Sequence, residues 1–279
     1  MKLLKLVFHE FIHGGHLVAA GPTIIILVFI VITGSKVPWE LIGGVYLITY
    51  IVHLFDRYFD IKNDSCEHRK AHFEKYKNSI PTILITAIIL LILLIIQSGI
   101  ITLLFALLLI FSGIAYSIFL KNLTRYIIGF KSYFTAAIFA SVVFFAAFSA
   151  SSPIDEKTIL IFIFFFIRWF ANTIFCDIKD IAQDSGHGLK TFAIVFGKNK
   201  YGFFSSVNII SSFPIIFGVM RGALPIYSLL LLTTIPYYFY YLKLSRKEDA
   251  NFQKLSNMWA DGESIIWLLA MLIGVSIWG

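Results

Sequence analysis

Residues 55–64 read "FDRYFDIKND" and follow an apolar run that begins near residue 37. Asp56, Asp60 and Asp64 stand four apart, so a helix would carry all three on one face. Like charges stacked in this way repel each other and weaken an isolated helix. The spacing therefore asks for a positively charged partner. The run before them is about as long as a bilayer crossing requires, which puts the carboxylates where a membrane span ends.

The rest of the chain agrees with that setting. Of the 279 residues, 58% are hydrophobic and only 14% charged, with a mean hydropathy of +0.84. Soluble domains are usually about a quarter charged, so the composition points to an all-α polytopic membrane protein. We expect spans at 17–34, 37–55, 80–97, 100–120, 129–150, 157–176, 202–221, 223–243 and 262–278. Several are Ile/Leu/Phe runs with strand-like propensity. Their length, and the lack of the alternation a closed barrel needs, favours helices. The N-terminal "MKLLKLVFHEFIHGGH" reads as an amphipathic lead-in at the membrane surface, without a cleavage site after a short apolar core.

The charges orient the bundle. The connections 56–79, 121–128, 177–201 and 244–261 are polar, whereas 35–36, 98–99, 151–156 and 222 are short. All Lys and Arg except Lys36, Lys157, Arg168 and Arg221 fall in the N-terminus, the polar connections or their edges. The positive-inside rule then gives a nine-transmembrane-helix bundle, N-in and C-out. The net charge of +7 reports orientation, and no nucleic-acid partner is implied. Cys66 and Cys176 fall on the cytoplasmic side as reduced thiols. Residues 1–279 are expected to form one integral-membrane domain, with no sign of its oligomeric state.

A second acidic group, "FCDIKDIAQD", places Asp177, Asp180 and Asp184 at helical spacing after the sixth expected span. The equivalent placement after the second and sixth spans hints at an internal duplication. A lone acidic run beside a membrane is usually solvated loop, and Lys62, Arg69, Lys70 and Lys179 could pair with it. Two face-aligned groups at one mouth point instead to Mg²⁺, a hard cation that takes a few carboxylates plus phosphate oxygens and water. A substrate diphosphate bridged to both groups would satisfy every charge.

These stretches resemble the UbiA superfamily of intramembrane prenyltransferases. "DRYFDIKND" follows that family's N-D-x-x-D-x-x-x-D motif through Asp60 and Asp64, with Asp56 in place of Asn and Arg57 where Asp is frequent. "DIKDIAQDSGHGLKTFAIVFGKNK" is similar to the second motif through Asp177, Asp180, Asp184, Lys190, Thr191 and Gly197. "YSIFLKN" is similar to the segment after the fourth helix through Tyr116 and Lys121. The resemblance implies two Asp-rich cytoplasmic segments over a central cavity, and Mg²⁺-dependent transfer of a prenyl group from an isoprenyl diphosphate to a small acceptor. The acceptor could be a quinone-precursor aromatic or another lipid precursor. A terpene cyclase of the same superfamily is an alternative. A cation transporter fits less well, because transport sites lie near the bilayer midplane.

That chemistry assigns roles. Asp56, Asp60, Asp64, Asp177, Asp180 and Asp184 would hold metal. Lys121 and Lys190, in matched motifs, would contact diphosphate. Lys131 and Arg69 would do the same, or serve as headgroup and orientation charge. Tyr116, Tyr58 and Trp169 are candidate rings facing an allylic cation. Arg168, deep in the sixth span, would reach substrate together with Asn172, or form a structural pair. His9, His13, His16 and His53 invite a transition-metal hypothesis, but no such site is expected.

Overall fold

The computed structural model describes residues 10–12, 14–60, 71, 74, 78–98 and 100–278. Among these there is helix and no strand. The first six long helices are α1 (His16–Thr33), α2 (Trp39–Asp60), α3 (Ile80–Ser98), α4 (Ile100–Ile118), α5 (Phe130–Ser149) and α6 (Glu156–Cys176). They are followed by α7 (Lys200–Ile210), α8 (Phe213–Met220), α9 (Thr234–Leu244) and α10 (Glu263–Trp278). Among the described residues, five helical stretches are long and apolar enough to cross a membrane: His16–Thr33, Phe130–Ser149, Glu156–Cys176, Gly197–Met220 and Phe252–Trp278.

Burial separates the centre from the periphery. In α1, Ile25, Ile26, Val28 and Phe29 are completely buried, because this helix packs against α2, α5 and α10. In α3 and α4 the pattern inverts. Ile85, Ile89, Leu93 and Ile96 on one helix, and Leu104, Leu108 and Phe111 on the other, are all more than half exposed. They recur every three or four residues and form apolar stripes. Such stripes are stable against lipid, and a helix satisfies its own backbone there.

Two expected spans are interrupted. The span expected at 202–221 divides at Ser211 and Ser212 into α7 and α8. Pro214, in the first turn of α8, has no N–H to continue the ladder back to Ile210. The span expected at 223–243 opens as a tight 3-10 segment, Ile226–Thr233, before α9. Pro236 removes the bond that would reach back to Leu232. The second acidic group is also not one continuous helix. Asp177 ends α6, a turn covers 177–180, and a short helix, Ile181–Gly186, carries Asp184.

The segment before α10 departs from α geometry. Leu255–Ala260 is a π-helical turn, with the Asp261 N–H donating to Ser256 O at 3.0 Å, five residues back. Wide turns of this kind re-aim side chains and frequently mark functional sites.

Candidate active site

α2 runs beyond the expected end of its span, so Asp56 and Asp60 both lie on its last turns. Asp56 lines a cavity of about 310 Å³ between α1, α2, α4, α5, α6 and the 255–261 turn. A second hollow, of about 410 Å³, shares Asp56, Arg57, Tyr116, Lys131, Lys179 and Asp180 with it and adds Lys121, Arg125, Gln183, Asp184 and His187. The two make one trough with a charged mouth. Its other end is apolar, lined by Pro22, Ile48, Val52, Leu109, Ile138, Phe139, Val142 and Trp169.

Local structure explains how Lys131 enters this mouth. Gly129 caps α5 with φ of +65°, and an added Cβ would meet the Phe192 ring at 1.9 Å, so only glycine fits. Its N–H donates to Lys190 O at 2.8 Å, and the Lys190 N–H donates to Thr124 O at 2.9 Å. The Thr124 hydroxyl accepts from the Lys131 N–H at 3.1 Å. The loops before α5 and after the second acidic group are thereby clipped together. The Lys131 ammonium is delivered between two carboxylates, 3.0 Å from Asp177 Oδ1 and 2.6 Å from Asp184 Oδ2. Ser132 Oγ donates to the other Asp177 oxygen at 2.9 Å.

Both carboxylates are buried. Burial pushes the Asp177 carboxyl up to about 6, with Lys131 opposing and Asp184 adding to the shift. Burial also raises Asp184, again against Lys131. Loss of hydration thus outweighs one ammonium shared between two acids.

The donor set suits a hard divalent cation. Asp56, Asp177 and Asp180 line one cavity, and Asp184 joins them at its mouth. Among the described residues no three acidic, imidazole or thiol side chains converge into a complete ligand set.

The other expected residues divide. Asp64, Arg69, His9 and His13 lie outside the described residues, and of Asp60 only the helical position is described. Tyr116 and Trp169 line the cavity, Tyr116 stacked on Phe134 at 5.5 Å and Trp169 edge-on to Phe139 at 4.5 Å. Tyr58 does not line it and is exposed. Lys121 lies at the mouth. Lys190 contributes its backbone, while its side chain is exposed and lines neither hollow. Asn172 lines the cavity, and its amide donates to Ala260 O at 2.6 Å.

Arg168 takes the paired alternative. Its guanidinium is completely buried and donates to Glu263, Asn208 and Ser211. Tyr241 OH and Trp267 Nε1 donate to the same glutamate at 3.0 and 3.2 Å. The group faces α7 and α10, away from both hollows.

Residues 9–13 read "HEFIH", a His-Glu-x-x-His spacing. Its two histidines lie outside the described residues. His16 hydrogen-bonds Tyr46 OH at 2.6 Å, and His53 lines the cavity.

Sequence reasoning did not find Ser132, Thr124, Ser256, Asn257 or Asp261. The first two are isolated hydroxyls whose partners lie up to tens of residues away. The last three act through a π turn, which leaves no mark in the hydropathy pattern.

Known structures share this architecture. A UbiA homologue from Aeropyrum pernix K1, solved in the apo form, aligns with a TM-score of 0.69 at 12% identity, covering 93% of this chain and 96% of its own. A UbiA homologue from Archaeoglobus fulgidus bound to GPP and Mg²⁺ aligns with a TM-score of 0.68 at 13% identity, covering 96% and 99%. A digeranylgeranylglyceryl phosphate synthase aligns with a TM-score of 0.59 at 16% identity, covering 98% and 99%. At these identities the likeness shows the fold. No protein of curated function matches the chain. The sequence model described as the UbiA prenyltransferase family matches residues 17–260. With its apolar helices, this makes the protein an integral membrane protein, and the chain belongs to the UbiA prenyltransferase family.

Proposed function

We propose that the chain transfers the prenyl group of an allylic prenyl diphosphate to a small acceptor, at a site opening to the cytoplasm. The single domain would span 1–279 as a nine-helix, N-in and C-out bundle. The observation that carries this reading is the polarity of one trough. Its mouth holds Asp56, Asp177, Asp180 and Asp184 with Lys121, Arg125, Lys131 and Lys179, and its inner end is apolar and aromatic.

A prenyl diphosphate has the same polarity. Its diphosphate would lie among the cationic side chains and aspartates, and its hydrocarbon would run toward Ile48, Leu109, Ile138 and Trp169. Asp56, Asp60, Asp64, Asp177, Asp180 and Asp184 would hold Mg²⁺, which when bound supplies the charge that stabilises the departing diphosphate. Lys121 and Lys131, with Arg69, would contact phosphate oxygens. The C1–oxygen bond breaks with its electron pair leaving on diphosphate, the acceptor bonds to C1, and a proton leaves the acceptor. Tyr116, Phe134 and Trp169 exclude water and offer ring faces to the allylic cation.

The carboxylates stand at helix ends, Asp56 on the last turns of α2 and Asp177 just past α6. A transport site would instead interrupt helices at mid-depth. The test is incubation of the purified protein with geranylgeranyl diphosphate and Mg²⁺, followed by measurement of released diphosphate and extraction of the product. Transfer predicts Mg²⁺-dependent release, with a prenylated product once a small acceptor is added. A hydrocarbon formed without acceptor would assign a cyclase.

A further inference from the structure

The polar residues of the trough are not all at its charged mouth. α6 sends two pairs of side chains in different directions. Thr173 and Asp177 turn toward α5, with Thr173 Oγ1 3.4 Å from Ser132 O and Asp177 bonded to Ser132. Asn172 and Cys176 turn toward the π turn, where Asn172 bonds Ala260 O and Ser256 Oγ lies 3.1 Å from Cys176 Sγ. Facing the cavity on that second side are Ser256, Asn257 and Asp261. Ser256 is committed, because it also accepts from Lys179 Nζ at 3.1 Å. Asn257 is not: it is 94% buried (6% exposed), lines the cavity, and its carboxamide makes no hydrogen bond among the described residues. The Asn257 carboxamide therefore opens onto the cavity, where a ligand group can bond it.

We propose that the 255–261 turn is the acceptor subsite, and that it takes a hydroxyl-bearing head through the Asn257 carboxamide. This deepens the prenyl-transfer reading and rests on it. The amide both donates and accepts, as a hydroxyl does. An acceptor held here lies over α6, beside the carboxylates that hold the diphosphate, as attack on C1 requires.

The probe is glycerol, a small polyol. Wild type and Asn257→Leu are each supplied with geranylgeranyl diphosphate and Mg²⁺, and the ratio of geranylgeranyl glyceryl ether to geranylgeraniol is measured. The ratio is independent of how fast the diphosphate leaves. Binding of the non-ionising geranylgeranyl S-thiolodiphosphate and the thermal midpoint establish that the variant is folded and keeps its prenyl site. The expected result is saturable ether formation by wild type and an ether ratio about tenfold lower in Asn257→Leu, the order of one lost hydrogen bond. The proposal is overturned by an unchanged ratio in the variant, or by diphosphate release from wild type without ether. Absence of diphosphate release from wild type would instead remove the prenyl-transfer reading, and this subsite with it.

Discussion

The Lys131 ammonium lies 3.0 Å from Asp177 Oδ1 and bridges from there to Asp184. Lys131 stands at the start of α5 and Asp177 at the end of α6, so one cation ties two helices and two acids together. Replacing it by methionine keeps the length and removes the charge. Two buried carboxylates then lose their counter-ion, which costs about 3 kcal/mol for a pair at a cavity mouth. Lys131→Met should lower the thermal midpoint in detergent, and added Mg²⁺ should raise the variant's midpoint more than the wild type's. Equal midpoints, or an equal response to Mg²⁺, would count against the bridge.

The Asp177 carboxyl supplies a pH test. Its value rises from the ordinary 3.8 to about 6, chiefly by burial. A raised carboxyl binds its proton more tightly in the folded than in the unfolded state, so its contribution is fully present below about 4 and is lost as pH climbs to about 6. The midpoint difference between wild type and Asp177→Asn, followed without Mg²⁺, should move against wild type across that window and be flat above it. A difference that is level from pH 4 to 7, or moves in favour of wild type, contradicts the burial.

Arg168 and Glu263 predict a loss of stability separate from chemistry. Arg168→Met leaves Glu263 buried without its cation and should cost about 3–5 kcal/mol. Adding Glu263→Gln removes the orphaned charge and should recover part of that loss. The Mg²⁺ dependence of the folded fraction should match wild type in both. Chemical unfolding measures the first effect and a metal titration of initial rate the second. A shifted Mg²⁺ requirement at unchanged stability would return Arg168 to the substrate site.

Asp56 stands where the family motif has Asn, yet it lines both hollows. A carboxylate keeps the oxygen ligand and adds charge. Asp56→Asn should retain turnover and shift the Mg²⁺ requirement upward, whereas Asp56→Ala should lose activity. Wild-type Mg²⁺ titrations in both variants would make Asp56 a bystander.

The sequence made the helical, membrane-embedded class legible because apolar runs of bilayer length have few alternatives. The carboxylates were legible for a related reason: like charges at helical spacing beside a span need an external partner. Interrupted helices were not legible. Pro214 and Pro236 are ordinary inside an apolar run until the backbone bond they delete is located. Arg168 was ambiguous because its partners are 40 and 95 residues away. The acceptor-side wall was hidden altogether, since Asn257 and Asp261 share a face only through a turn with five-residue bonding.

The most direct measurement is diphosphate release from geranylgeranyl diphosphate by the purified protein, titrated with Mg²⁺ and repeated for Asp180→Asn and Asp184→Asn. Prenyl transfer at this trough predicts release that requires Mg²⁺, stops with a chelator, and falls by at least about a hundredfold in each variant, the order of losing a transition-state charge contact. Release that is indifferent to Mg²⁺, or that persists in both variants, would contradict it.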